Sequence, residues 1–75
     1  MERYKNFSGT SGIAAFEIET ASIKVQFKDG WVYLYTALSA GTQTIDRMKQ
    51  LAIAGSGLSR YIMTNAKKSY SEKSR

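Results

Sequence analysis

The stretch IKVQFKDGWVYLYT, from Ile23 to Thr36, limits this chain more than any other, because two alternating runs flank the dipeptide Asp29-Gly30. Asp-Gly in that setting signals a two-residue type I′ hairpin turn, whose positive φ at both central residues matches the twist of the strands it joins. Such a turn places Lys28 opposite Trp31, Phe27 opposite Val32, Gln26 opposite Tyr33, Val25 opposite Leu34, Lys24 opposite Tyr35 and Ile23 opposite Thr36. Side chains alternate across a strand, so one face of the predicted hairpin carries Ile23, Val25, Phe27, Val32 and Leu34. The other carries Lys24, Gln26, Lys28, Trp31, Tyr33 and Tyr35. The first face needs a cover, and function is expected on the second.

Upstream, Ile13 to Glu19 (IAAFEIE) alternates as well, with Ala14, Phe16 and Ile18 on one side. With Thr20-Ala21 as the loop, Ile18 falls opposite Ile23, Phe16 opposite Val25 and Ala14 opposite Phe27, while Glu17 meets Lys24 on the outer face. The result is a three-stranded antiparallel meander in chain order. After Thr36 the segment ALSAGTQT reads as a connection, and the apolar spacing then changes from two to between three and four. Ile45, Met48, Leu51 and Ala52 mark one side of a helix capped by Thr42 or Thr44 and ending near Gly55. Leu58, Tyr61, Ile62 and Asn65 mark a second, with Ser56 as its cap. One apolar sheet face and two apolar helix stripes must bury each other. The predicted fold is therefore α+β, a three-stranded antiparallel β-meander with two α-helices packed on one face. Its expected core is Phe16, Ile18, Ile23, Val25, Phe27, Val32 and Leu34 against Ile45, Met48, Leu51, Leu58 and Ile62.

The predicted domain runs over residues 13–65. Residues 1–12 are rich in Ser, Gly, Thr and Asn and read as a flexible lead-in, with Tyr4 and Phe7 as aromatics able to dock on the domain edge. Residues 66–75 read as a basic flexible tail. Of the net charge of +5, that tail holds +3, and the domain itself is nearly neutral. With 75 residues a single core barely offsets the entropy of ordering the chain, so association with a second copy would help. No apolar run is long enough to span a bilayer, and the first residues lack a signal peptide's apolar segment, which points to a cytoplasmic protein without a membrane partner. The absence of cysteine and histidine excludes disulfides and thiolate chemistry and removes the usual general base and the commonest metal ligand. A non-catalytic protein without metal or small-molecule cofactor is expected.

The leading candidate site is the outer sheet face. Bases of a single strand can stack on Trp31, Tyr33 and Tyr35 while Lys24 and Lys28 reach phosphates and Gln26 reads a base edge. Lys67 and Lys68 in the tail would add phosphate attraction. The same rings would equally serve a protein interface or a homodimer, where Tyr and Trp are enriched, or would simply pack on lysine stems. Gly55-Ser56-Gly57 lacks the spacing of a phosphate-binding loop and reads as a helix C-cap and turn, with Lys49 and Arg60 on either side.

The order of strands then helices, centred on Phe27-Lys28-Asp29-Gly30 and Val32-Tyr33-Leu34-Tyr35, resembles the KTSC domain, a short module named for the C-terminus of some lysyl-tRNA synthetases. Tyr33-Leu34-Tyr35 is similar to that family's central Tyr-x-Tyr. Gly55-Ser56-Gly57 followed by Tyr61-Ile62 is similar to its later small-residue element. The resemblance implies a stand-alone or fused α+β module whose role is uncharacterised, with RNA binding suggested.

Overall fold

The computed structural model describes residues 1–7, 9 and 11–75. Ser8 and Thr10, in the segment expected as a lead-in, lie outside the described residues. The predicted strands and helices form where the patterns place them, and the chain adds an edge strand at either side of the sheet. In chain order the elements are β1 (Glu2–Arg3), β2 (Ile13–Glu19), β3 (Ser22–Phe27), β4 (Val32–Thr36), α1 (Ala37–Ala40), α2 (Thr42–Ala54), α3 (Leu58–Tyr61), a π-helical continuation of α3 (Ile62–Ala66) and β5 (Glu72–Ser74). All neighbouring strands are antiparallel, in the order β1-β2-β3-β4-β5. The architecture is α+β, but among the described residues it has five strands and three helices rather than three and two.

The two added strands lie in the segments expected to be a flexible lead-in and a basic flexible tail. Glu2 and Arg3 pair with Phe16 and Ala15. Glu72, Lys73 and Ser74 pair with Leu34, Tyr33 and Val32. Both strands are exposed throughout and join the sheet by ladder hydrogen bonds, so they carry no apolar alternation by which to be recognised. Tyr4 is firmly held: its ring is 3% exposed and its hydroxyl accepts a hydrogen bond from the Leu58 amide at 3.3 Å.

Between β2 and β3 the expected register holds at Ile18 with Ile23, Glu17 with Lys24 and Phe16 with Val25. A bulge at Ala14 then brings Ile13, not Ala14, opposite Phe27, and Ile13 is buried in the core. The β3–β4 hairpin differs. Ile23 pairs with Tyr35, Lys24 with Leu34, Val25 with Tyr33 and Gln26 with Val32, one residue away from the type I′ register. The loop explains the slip. The Phe27 amide donates to the Trp31 carbonyl at 2.8 Å and the Gly30 amide to the Phe27 carbonyl at 3.0 Å, enclosing three loop residues, Lys28, Asp29 and Gly30. Gly30 has φ +96°, whereas Asp29 is not at positive φ, so no type I′ turn exists here. This is the three-residue hairpin, a tight turn followed by one positive-φ residue. The Trp31 amide donates to Asp29 Oδ1 at 3.0 Å, which fixes the loop further.

A one-residue slip sends every side chain of a strand to the opposite face. Tyr33 and Tyr35 therefore point to the helices, and Val32 and Leu34 leave the expected core for the open face. Ile18 also stands apart from the core at 38% exposure. The core that forms joins Tyr4, Ile13, Phe16, Ile23, Val25 and Tyr35 to Ile45, Met48, Ala52, Leu58, Ile62 and Ala66.

On the helical side, the expected connection ALSAGTQT contains α1, closed by a capping box in which Thr36 and Ser39 each satisfy the other's backbone amide. The Thr42 and Thr44 caps expected for α2 are not used, because Gly41 occupies the N-cap position without a side-chain bond. Its C-cap is Gly55, as the sequence indicates, at φ +80°. A Cβ at Gly55 would lie 2.8 Å from Lys5 Cβ and 3.0 Å from the Phe7 ring, so glycine also admits the N-terminal segment. Gly57, not Ser56, precedes α3. The wider π turn buries Ile62 and Ala66 and leaves Asn65 exposed.

Candidate nucleic-acid interface

The slipped register gathers aromatic rings on the helix side of the sheet near its β4 edge. Phe27 meets Tyr33 edge to face at 5.3 Å. Tyr33 and Tyr35, two residues apart on β4, lie nearly parallel at 6.4 Å. Tyr70, brought back by the turn into β5, sets its edge against both, at 5.0 Å and 6.5 Å. The Ser71 amide fixes that turn by donating to the Leu34 carbonyl at 2.6 Å. Edge-to-face pairs at such distances are the arrangement ring quadrupoles favour.

These rings floor a cleft of about 340 Å³ between β4 and the π-helical turn. Ile62 and Met63 wall one side, Asp29 stands at the hairpin end, and Lys67 and Lys68 rim the mouth. Both lysines are exposed, and Tyr33 and Tyr70 are half-buried, so the cleft offers flat apolar walls below and cations above. Burial, reinforced by Tyr33 and then Tyr70, pushes the Tyr35 hydroxyl up from 10.0 to about 12.

The structure divides the residues expected to act together. Tyr33, Tyr35, Lys67 and Lys68 line the cleft. Lys24 and Gln26 face away from it, paired with Leu34 and Val32 on the open face, where Lys24 also meets Glu17 at 3.8 Å. The single aromatic and lysine surface expected there does not exist, for the loop-length reason given above. Tyr35 is 1% exposed and so is closed to a second copy of the chain. Trp31 stands at the hairpin edge beside two cations, with Nζ of Lys73 in β5 at 5.5 Å and Cζ of Arg75, just after that strand, at 5.3 Å from its ring. Lys28 is exposed in the loop. Sequence reading missed Phe27, Asp29, Ile62, Met63 and Tyr70 as site residues. A lone tyrosine in the polar run KKSYSEKS is the signal that could have flagged the last.

Among the described residues no helix is long and apolar enough to cross a membrane, and no three His, Cys, Asp or Glu side chains gather as a metal site would require. Compared with known protein families, curated proteins and solved structures, the chain matches none.

Proposed function

We propose that this chain is a small, non-catalytic, cytoplasmic module that binds RNA or single-stranded nucleic acid, and that it does so through the cleft beside β4 rather than across the open sheet face. One observation carries the reading: the packed rings of Phe27, Tyr33, Tyr35 and Tyr70 line one cleft together with exposed Lys67 and Lys68. An unstacked base needs flat apolar contact, and its phosphate needs a cation within a side chain's reach. Exposed Asp29 adds an acceptor for the base's edge. The KTSC resemblance belongs to the same proposal, since Tyr33, Tyr35 and Ile62, three of the residues that carry it, are cleft residues.

The test is titration of a labelled mixed-sequence single strand against the intact chain. Tyr70→Ala is expected to weaken binding by about tenfold, as loss of one stacking partner does. Lys67→Gln with Lys68→Gln, on exposed positions that leave the fold alone, is expected to weaken it further at low salt than at high salt. Binding that is absent in the parent chain, or untouched by both changes, overturns the proposal.

A further inference from the structure

A second basic hollow lies on the other flank of the same helix. Arg47, from α2, and Arg60, from α3, line a groove of about 300 Å³ together with Leu51, Gly57, Tyr61 and Thr64. The two guanidinium groups reach it from different helices, and both arginines are exposed. Neither is neutralised: the ion pair found among the described residues joins Lys24 to Glu17. Arg47 Nη1 donates to Gln50 Oε1 at 3.3 Å, which leaves most of its fork of five donors open to solvent. The Thr64 hydroxyl is engaged with the carbonyls of Arg60 and Tyr61, at 2.9 and 3.3 Å. The arginines are thus the groove's charged groups, and a planar fork of donors fits a phosphate better than a lysine's point charge does.

The groove and the aromatic cleft share the helix that separates them. Ile62, Met63, Lys67 and Lys68 face the cleft, and Arg60, Tyr61 and Thr64 face the groove. Arg60 and Lys67 are seven positions apart in the chain, which is roughly 10 Å along a helix axis. A strand with one base in the cleft can cross that exposed ridge within a few nucleotides. We infer that the Arg47 and Arg60 groove is a second phosphate station for the same nucleic-acid strand, so that the bound segment runs from the cleft over the helix and is longer than the single nucleotide the cleft holds. This rests on the binding reading given above.

The experiment is the affinity of the intact chain for a labelled mixed-sequence single strand of about ten nucleotides, measured across a range of salt. Each phosphate contact on a single strand contributes about 0.7 to the slope of log affinity against log salt, so Arg47→Gln with Arg60→Gln is expected to make that slope shallower by about 1.4. Arg3→Gln with Lys24→Gln removes as much charge from the far side of the sheet and is expected to leave the slope unchanged. Circular dichroism of the variants, all at surface positions, checks that each is folded. A parent slope retained in the arginine variant, while Tyr70→Ala and the Lys67 and Lys68 changes still weaken binding, overturns the second station and leaves the cleft standing. An equal loss of slope in the far-side variant assigns the effect to diffuse charge and overturns it too. No binding by the parent chain overturns both.

Discussion

The two hairpins of this sheet share a strand yet close in different ways. Between β2 and β3 the chain turns in two residues, Thr20 and Ala21, neither of them at positive φ. Between β3 and β4 it turns in three, the last of them Gly30 at φ +96°. That one additional loop residue inverts β4. With a two-residue loop the tyrosines would stand in water beside Lys24 and Gln26; with three they stand against the helices, and Val32 and Leu34 take their place outside. Loop parity therefore determines which binding surface the molecule has, a flat stacking platform or a cleft, without any change in the strand's own composition.

The sharpest way to break this comparison is to truncate adjacent residues of β4. Tyr35→Ala removes a ring that is 1% exposed and is expected to cost about 3 to 5 kcal/mol, a large part of the stability of so small a domain. Leu34→Ala, on the open face, is expected to cost about 1 kcal/mol or less. Denaturant midpoints of the two variants decide the matter, and a reversed order would mean that β4 has the opposite face inward.

A second effect comes from the Tyr35 hydroxyl, raised from 10.0 to about 12 by burial and by its two tyrosine neighbours. The unfolded chain releases this proton near pH 10 and the folded chain only near pH 12. The folded state thus holds the extra proton in that window, and its stability, complete below pH 10, falls as the pH rises to 12, by roughly 2 kcal/mol. Tyr35→Phe has no such proton and is expected to flatten this part of the stability curve; an unchanged fall would assign it to other groups.

The smallest effect compares the loops themselves. A Cβ at Gly30 would meet nothing within 4 Å, so Gly30→Ala tests backbone conformation alone, and it is expected to cost about 1 kcal/mol at positive φ. Ala21→Gly, in the loop without positive φ, is expected to change stability by about half that through the unfolded chain. Thermal unfolding that ranks the two equally would remove the special role of the three-residue loop.

The first hairpin was legible because its outward positions are charged. Glu17 and Glu19 cannot share a face with Phe16 and Ile18, so only one parity is acceptable there. In β4 both parities are apolar, Val32 and Leu34 against Tyr33 and Tyr35, and the burden falls on the turn. Asp-Gly serves two turn geometries, the pair at the centre of a type I′ turn or the last two residues of a three-residue loop, and local composition does not separate them. Tyr33 and Tyr35 were legible as aromatics of the candidate site, but not the side of the sheet on which they lie, and Phe27 and Tyr70 were not read as part of it. The edge strands left still less trace, since Glu72 to Ser74 is held by backbone bonds to β4 and buries no side chain. The helix pair was legible from its apolar spacing and from Gly55, whereas the caps were taken by glycines that offer no side chain to recognise.

The docking of the N-terminal segment has a kinetic consequence. Tyr4 reaches Leu58 across 54 positions of sequence, and the Phe7 amide donates to the Gly55 carbonyl at 2.8 Å. Tyr4 and Phe7 leave the ribosome well before the break between α2 and α3 and must therefore wait for it before they find their partners. The meander and α2 can assemble from neighbours, while closing so wide a loop is entropically the most demanding step and belongs late in folding. Until then the hydrophobic slot that Tyr4 fills stands open on the nascent domain, and the tyrosine acts as the bolt that completes the core after the rest has formed.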